Sequence, residues 1–215
     1  MAVALLANAF ITKAEAREFF LQNPDTESMK DVDEDTLARI INGVCSIIEG
    51  RTGKFLIVRA GIVEYHDGGD ETVVLRHYPV TTVTQVLEDS TALTAATQYD
   101  YYPDTGVLYR MTTADDDVAV FTSGRRKVKI TYSAGYGTQT TSGGEITAIV
   151  LPTDPVHARQ LEAARLAAMI WTAIIFKEGP ANFTNKIAGG SFVPENAIPK
   201  VVRDAIQTFT GNYSR

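Results

Sequence analysis

The sequence predicts an α+β fold, with helices contributed by both ends of the chain and an antiparallel β region inserted between them. Two changes of period carry that expectation. Apolar residues recur every three or four positions up to about residue 50, alternate from Phe55 to Tyr132, and return to helical spacing after Pro155. The punctuation agrees: turn-forming clusters such as "DGGD", "PDTG" and "TSGRR" separate the short alternating runs.

In "ITKAEAREFF", Thr12 stands three residues before Glu15, so that each side chain can satisfy the backbone beside the other at an exposed helix start. A short helix through Phe20 is expected. The segment "DVDEDTLARIINGVCSIIEG" places Leu37, Ile40, Ile41, Val44, Ile47 and Ile48 at helical spacing, with acids at the positive end of the helix dipole and Gly50 as its stop. "FLIVRAGIVEYH" and "ETVVLRHYPV", joined by "DGGD", read as two strands of a tight hairpin. Further strands are expected at Val83 to Glu88, Gln98 to Tyr102, Val107 to Met111, Val118 to Phe121 and Lys127 to Tyr132.

The polar stretch "GTQTTSGGE" reads as a flexible connection into a helix from about Val156 to Lys177. That helix is apolar on nearly every side between Ala163 and Phe176, whereas a helix lying on one core needs a single apolar stripe. A second covering element is therefore expected, from a neighbouring subunit or from the long loop that follows. After the loop with Gly179, Pro180, Gly189, Gly190 and Pro194, Pro199 opens a last helix with Val201, Val202, Ala205, Ile206 and Phe209 on one face. No internal repeat is visible.

The chain has 215 residues, 45% hydrophobic and 21% charged, enough for one full core or two small ones. A formal net charge of -6 opposes a sequence-independent grip on nucleic acid, which depends on Lys and Arg neutralising phosphates. Cys45 has no second cysteine to pair with, and the chain does not open on a basic stretch followed by a hydrophobic signal segment. Assembly in a reducing cytoplasm is expected. The most apolar run, Leu166 to Phe176, is too short to cross a bilayer, so no membrane partner is expected.

The motifs that carry chemistry elsewhere are incomplete here. In "KVKITYSAGYGTQTTSGGE", Gly135 and Gly137 are followed by Thr140 where a dinucleotide fingerprint needs its third glycine, and the next helix starts well downstream. "DVDED" at residues 31 to 35 imitates a calcium loop, but Thr36 and Asn42 occupy the positions that require glycine and glutamate. Gly53 and Lys54 resemble the end of a phosphate loop, yet Phe55 replaces the hydroxyl and Ile48 the first glycine. His66, His77 and His157 have no partner at metal-ligand spacing. Cys45 lies on the apolar side of its helix with no adjacent base, and no nucleophile elbow is present. The acids at 115 to 117 read as a solvated loop, "RRKVK" at 125 to 129 as the wet face of a strand, and Trp171 as core. No catalytic residue, metal or cofactor is expected. The glycines have a mechanical explanation instead: Val128, Ile130 and Tyr132 end a strand, and Gly135 and Gly137 let the backbone turn where a Cβ would obstruct it.

Two helices ending in "RTG", then "LRHYPVTTVTQV", "TQYDYYPDTGVLYR", "VKITYSAGYG" and a proline-led helix form an order that resembles the head-tail connector (adaptor) family of tailed bacteriophages. The resemblance covers most of the chain. It departs at "TQTTSGGEITAIVLPTDP", where that family has a short Val-Pro step, and in the long loop from Gly179 to Pro199. The resemblance implies one discontinuous helical bundle (residues 1 to 54 and 139 to 215) around an inserted β domain (55 to 138), and a structural virion protein of the neck rather than an enzyme. It further implies a homo-oligomeric ring, dodecameric in the family, that docks on the portal protein. Such a ring meets a stopper or tail-completion protein and extends a channel through which genomic DNA passes without specific binding.

Interface positions expected on this reading are Ile170 and Ile174 of the apolar helix and Val201, Val202, Ile206, Phe209 and Tyr213 near the C-terminus, with Gly135 and Gly137 as the structural turn. The segment from Pro199 to Arg215 is the expected portal contact, since connector subunits of this kind commonly reach the portal with their C-terminal ends. A different class of function, a carbohydrate-binding β module on a helical base, would use the tyrosines between Tyr99 and Tyr102.

Overall fold

The computed structural model describes residues 3–22, 32–112, 118–178 and 198–210. The fold is α+β, with the N- and C-terminal helices on either side, in sequence, of a central β region. The chain divides into two compact units, Met1–Ile57 with Tyr136–Arg215, and Val58–Gly135.

The first unit is mainly helical. Helix α1 (Lys13–Leu21) opens with the reciprocal cap: the Glu15 N–H donates to Thr12 Oγ1 at 3.1 Å and the Thr12 N–H to Glu15 Oε2 at 2.8 Å. Helix α2 (Glu34–Thr52) is capped by Asp33, whose carboxylate accepts from the Asp35 and Thr36 N–H groups. It does not stop at Gly50. It runs on to Thr52 and ends at Gly53, with φ 66 and an N–H bonded to Glu49 O. The stop here is a residue in the left-handed conformation, and Gly53 is the one that adopts it, while Gly50 stays helical.

Helix α3 (Pro155–Glu178) starts beneath Asp154, whose Oδ1 accepts from the Val156 and His157 N–H groups at 2.8 Å each. Helix α4 (Lys200–Thr210) follows Pro199, whose carbonyl accepts from the Val202 and Arg203 N–H groups. Leu37, Ile41, Val44 and Ile48 of α2, Leu161, Ala164 and Ala168 of α3, Val202 of α4 and Phe10 and Phe20 from the N-terminal segment make one core. Ile47 of α2 packs against this cluster partly buried.

The polar stretch after Gly137 is not a loose connection. Strands β8 (Thr138–Ser142) and β9 (Glu145–Val150) form an antiparallel hairpin turned by Gly143 and Gly144 at φ 60 and 83. Two successive positive φ values are what a two-residue hairpin turn demands, and Gly-Gly supplies them without steric cost. A two-stranded ribbon is marginal alone. Here it is tied down by Ile146 in the core and by Gln139 Nε2 donating to the Ala9 carbonyl at 2.6 Å.

The second unit contains two antiparallel sheets, one ordered β1 (Arg59–Gly68), β7 (Gly124–Ala134), β3 (Val80–Glu88), β4 (Thr91–Ala92), the other β2 (Thr72–Val74), β6 (Val107–Arg110), β5 (Tyr99–Tyr102). The expected hairpin of the first two strands is therefore corrected: β1 pairs with β7 and β2 with β6. "DGGD" carries the chain between sheets, and its backbone is satisfied by residue 121, through Gly69 N to Phe121 O at 2.9 Å and Phe121 N to Asp70 O at 3.0 Å. Val118 to Phe121 is likewise not a strand: Val118 bridges Met111, and Ala119 N–H donates to the Arg110 carbonyl at 3.0 Å. Leu75, Val86, Leu108, Phe121, Val128, Ile130 and Tyr132 fill the interior.

Candidate interface surfaces

Helix α3 presents two different sides. Leu161, Ala164, Ala167, Ala168, Trp171 and Ile175 are buried, and Thr172 joins them without penalty because its hydroxyl donates to the Ala168 carbonyl at 2.7 Å. Leu166, Ile170 and Ile174, four residues apart, form a ridge on another side: Leu166 is 47% exposed, Ile170 and Ile174 half-buried. The all-round apolar character of the helix thus resolves into a covered face and a partly open one. Val150, Leu151 and Val156, where β9 leads into α3, add a second exposed apolar group.

On α4, Val202 and Phe209 are buried in the helical unit, Ile206 is half-buried, and Val201 is 39% exposed. Phe209 meets the Tyr136 ring edge-on at 5.3 Å, and Tyr136 in turn meets His157 at 5.3 Å. Gln160 Nε2 on α3 donates to the Thr208 carbonyl at 3.3 Å. Of the five residues proposed from sequence on the C-terminal segment, two are therefore interior anchors and Val201 is the one most open to a partner; Tyr213 lies outside the described residues.

Both glycines of the turn are under constraint. Gly135 has φ 140, a conformation that residues with a Cβ rarely adopt, and its N–H donates to the Pro79 carbonyl at 2.9 Å. Gly137 is limited by space: a Cβ there would stand 2.5 Å from Leu161 Cδ2 and 2.8 Å from the Val150 carbonyl oxygen. Its N–H donates to the Leu56 carbonyl, and Tyr136 N–H to that of Phe55, so the returning chain runs beside the Phe55–Ile57 segment of the helical unit.

No protein-family model matches this sequence, and no curated protein matches it. Solved structures do. A chain in the neck of the native gene transfer agent (GTA) particle computed with C12 symmetry aligns over 95% of this chain and 94% of its own, with a TM-score of 0.51 and 17% identity. Chains in the virion of the native GTA particle and in the neck of the empty particle computed with C6 symmetry align over 81% and 82% of this chain and the same shares of their own, each with a TM-score of 0.50, at 22% and 21% identity. At such identity the likeness is one of fold.

The remaining sequence candidates can be placed against this fold. Cys45 is fully buried, and burial pushes its thiol up to about 12, so it is inert as a nucleophile at neutral pH. Among the described residues no group of three His, Cys, Asp or Glu could hold a metal ion, and no helix is long and apolar enough to cross a membrane. The tyrosines of β5 do not make a common platform: Tyr99 is buried, Tyr101 packs on the core, and Tyr102 is exposed, with Tyr109 5.4 Å away.

Sequence reasoning also missed two polar clusters inside the β unit. Glu64 accepts from the Tyr132 hydroxyl and from the Arg76 N–H at 3.3 Å, and pairs with His66 Nε2 at 3.1 Å. Burial raises its pKa, but the His66, Tyr132 and Arg76 bonds prevail and hold the carboxyl below its ordinary 4.5. Burial and then the Glu64 carboxylate push the Tyr132 phenol upward, which keeps it a donor. Glu88 pairs with Arg110 Nε at 3.1 Å and accepts from the Thr122 N–H at 2.6 Å and hydroxyl at 3.1 Å. Burial again opposes ionisation there, and the Thr122 and Arg110 bonds outweigh it. Each carboxylate ties together segments distant in sequence within the β unit, Glu64 with Arg76 and Tyr132, Glu88 with Arg110 and Thr122.

Proposed function

We propose that this chain is a head-tail connector (adaptor) subunit of a phage-like particle: a structural protein that forms a ring, docks on the portal, meets a stopper or tail-completion protein, and extends the DNA channel. The fold shared with a neck chain over 95% of this sequence is the observation that carries the reading. The residue order from "RTG" to "SAGYG" supports it independently. The ridge of Leu166, Ile170 and Ile174 and the exposed Val201 provide the apolar surface that a subunit contact requires. On this reading the particle neck is where the protein works, after assembly in the host cytoplasm, and twelve copies complete the ring.

Negative-stain imaging of the purified protein, alone and mixed with portal, tests the proposal. Rings seated on portal are expected. Ile170→Asp should leave a folded subunit, because the side chain is only half-buried, yet abolish ring formation, and in vivo it should give DNA-filled heads without tails. Monomers that never associate with portal would overturn the reading. Removal of residues 212 to 215 should weaken portal binding if the C-terminal end makes that contact.

A further inference from the structure

The solvent-facing side of the four-stranded sheet carries chemistry that a subunit contact does not require. Ile62, Glu64 and His66 of β1 turn inward, which leaves Val63 and Tyr65 outward at 47% and 48% exposure. On β7, Val128, Ile130 and Tyr132 are buried, so Lys127, Lys129, Thr131 and Ser133 face out. The register sets Lys129 between Tyr65 and Leu87, and Thr131 between Val63 and Gln85.

One end of this face is basic. The Arg126 guanidinium lies over the Tyr65 ring, 4.3 Å from its centroid, and Lys129 Nζ is 5.9 Å from the same centroid. Arg126 has φ 53, a left-handed conformation disfavoured for a residue with a Cβ, and its N–H donates to Asp67 Oδ1 at 2.8 Å. Lys127 is paired with Asp89 at 2.7 Å. Among the described residues no carboxylate pairs with Arg125, Arg126 or Lys129, although the chain as a whole carries a net charge of -6.

We propose that this face, centred on Tyr65, Arg126 and Lys129, contacts the phosphate backbone of duplex DNA without reading its sequence. A guanidinium stacked on an aromatic ring keeps its N–H edge free to fork onto a phosphate, Lys129 adds a point charge, and Thr131 and Gln85 supply neutral hydrogen-bonding groups beside them. The local sign of charge is opposite to that of the chain, which confines the contact to this patch and leaves the rest of the subunit repelling the polyanion. The inference rests on the neck reading, in which duplex DNA is the polyanion the protein meets.

The test is an anisotropy titration of the full-length protein against a labelled duplex over a salt series from about 50 to 200 mM. Binding should weaken with salt with a log-log slope of roughly -2 to -3, about -0.9 for each phosphate met by Arg125, Arg126 and Lys129. Tyr65→Ala with Arg126→Gly and Lys129→Ala should lower affinity at least about tenfold and flatten the slope. Arg126→Gly alone relieves the backbone, so a loss of binding in that variant is not a loss of fold. Absence of binding by the wild type, unchanged affinity in the variants, or equal competition by poly-glutamate, the sign of an acidic protein partner, would each overturn the proposal. Portal docking is scored separately on the same variants and should be normal. Failure of the wild type to dock would sink the neck reading itself, whatever the titration shows.

Discussion

The two units hold themselves together by different means. In the helical unit the interior is apolar, and polar groups gather where helices begin and end, at Thr12 and Glu15, Asp33, Glu49 and Asp154. In the β unit two carboxylates, Glu64 and Glu88, sit among apolar neighbours and bind donors up to 68 residues away in sequence. A helix completes its own hydrogen bonds and needs its neighbours mainly for volume, whereas the strands here must find one register among several. Directional bonds from Tyr132 and Arg110 distinguish that register where apolar contact alone would not. The chain's single tryptophan, Trp171, is buried in the helical unit, and seven of its nine tyrosines lie between residues 58 and 135, so fluorescence and near-UV tyrosine signals report the two regions separately.

Glu88→Ala is the strongest way to break the comparison. It removes the countercharge of the largely buried Arg110 guanidinium, which keeps the Gln98 and Met111 carbonyls, and loss of one partner of a buried pair costs about 3–5 kcal/mol. The tyrosine transition should shift by that amount with the Trp171 transition little changed; an equal shift in both would show that the two regions do not differ in the way described. Gly137→Val should act on the other side of the comparison. The added side chain presses on Leu161 and the Val150 carbonyl, and overpacking of this kind costs about 1–3 kcal/mol, read by Trp171. Gly135→Val, at φ 140, should cost a similar or smaller amount through backbone strain, and an unchanged melt would remove the mechanical account of the turn.

Acid should give the smallest effect and sharpen the contrast. Glu64 and Glu88 both have folded-state pKa values depressed below 4.5, so their contribution is fully present above that value and is lost as pH falls through the lower folded one. A pH series from 6 downward should therefore weaken the tyrosine transition below about pH 4.5, and Glu64→Gln should make that decline shallower. Identical acid profiles for wild type and variant would exclude Glu64 as a contributor.

What the sequence made legible was local. The Thr12–Glu15 cap, the apolar face of α2 and the proline starts of α3 and α4 depend on residues a few positions apart, and the structure has them where spacing puts them. Gly50 and Gly53 are equivalent as letters, and only the chain's path decides which takes the left-handed turn. "DGGD" has the composition of a hairpin turn, but β1 gains a longer partner in β7 than β2 could offer with its three residues. The β8–β9 ribbon was hidden because threonine and serine mark both polar loops and exposed strands, and the Gly143–Gly144 pair was the available signal. On α3, apolar composition alone could not tell Trp171, which is buried, from Leu166, which is not.

The parallel contact between Ile57 and Gly137 also bears on how such a chain could have been assembled over time. Everything from Val58 to Gly135 forms one excursion in sequence, and the helical-unit residues that flank it, Ile57 and Gly137, bridge each other. A genetic exchange that replaced those codons would have to rejoin only two neighbouring backbone positions, and would leave every residue of the helical core in its original frame. In connectivity the β unit is a cassette, entered and left through adjacent backbone positions of the helical unit.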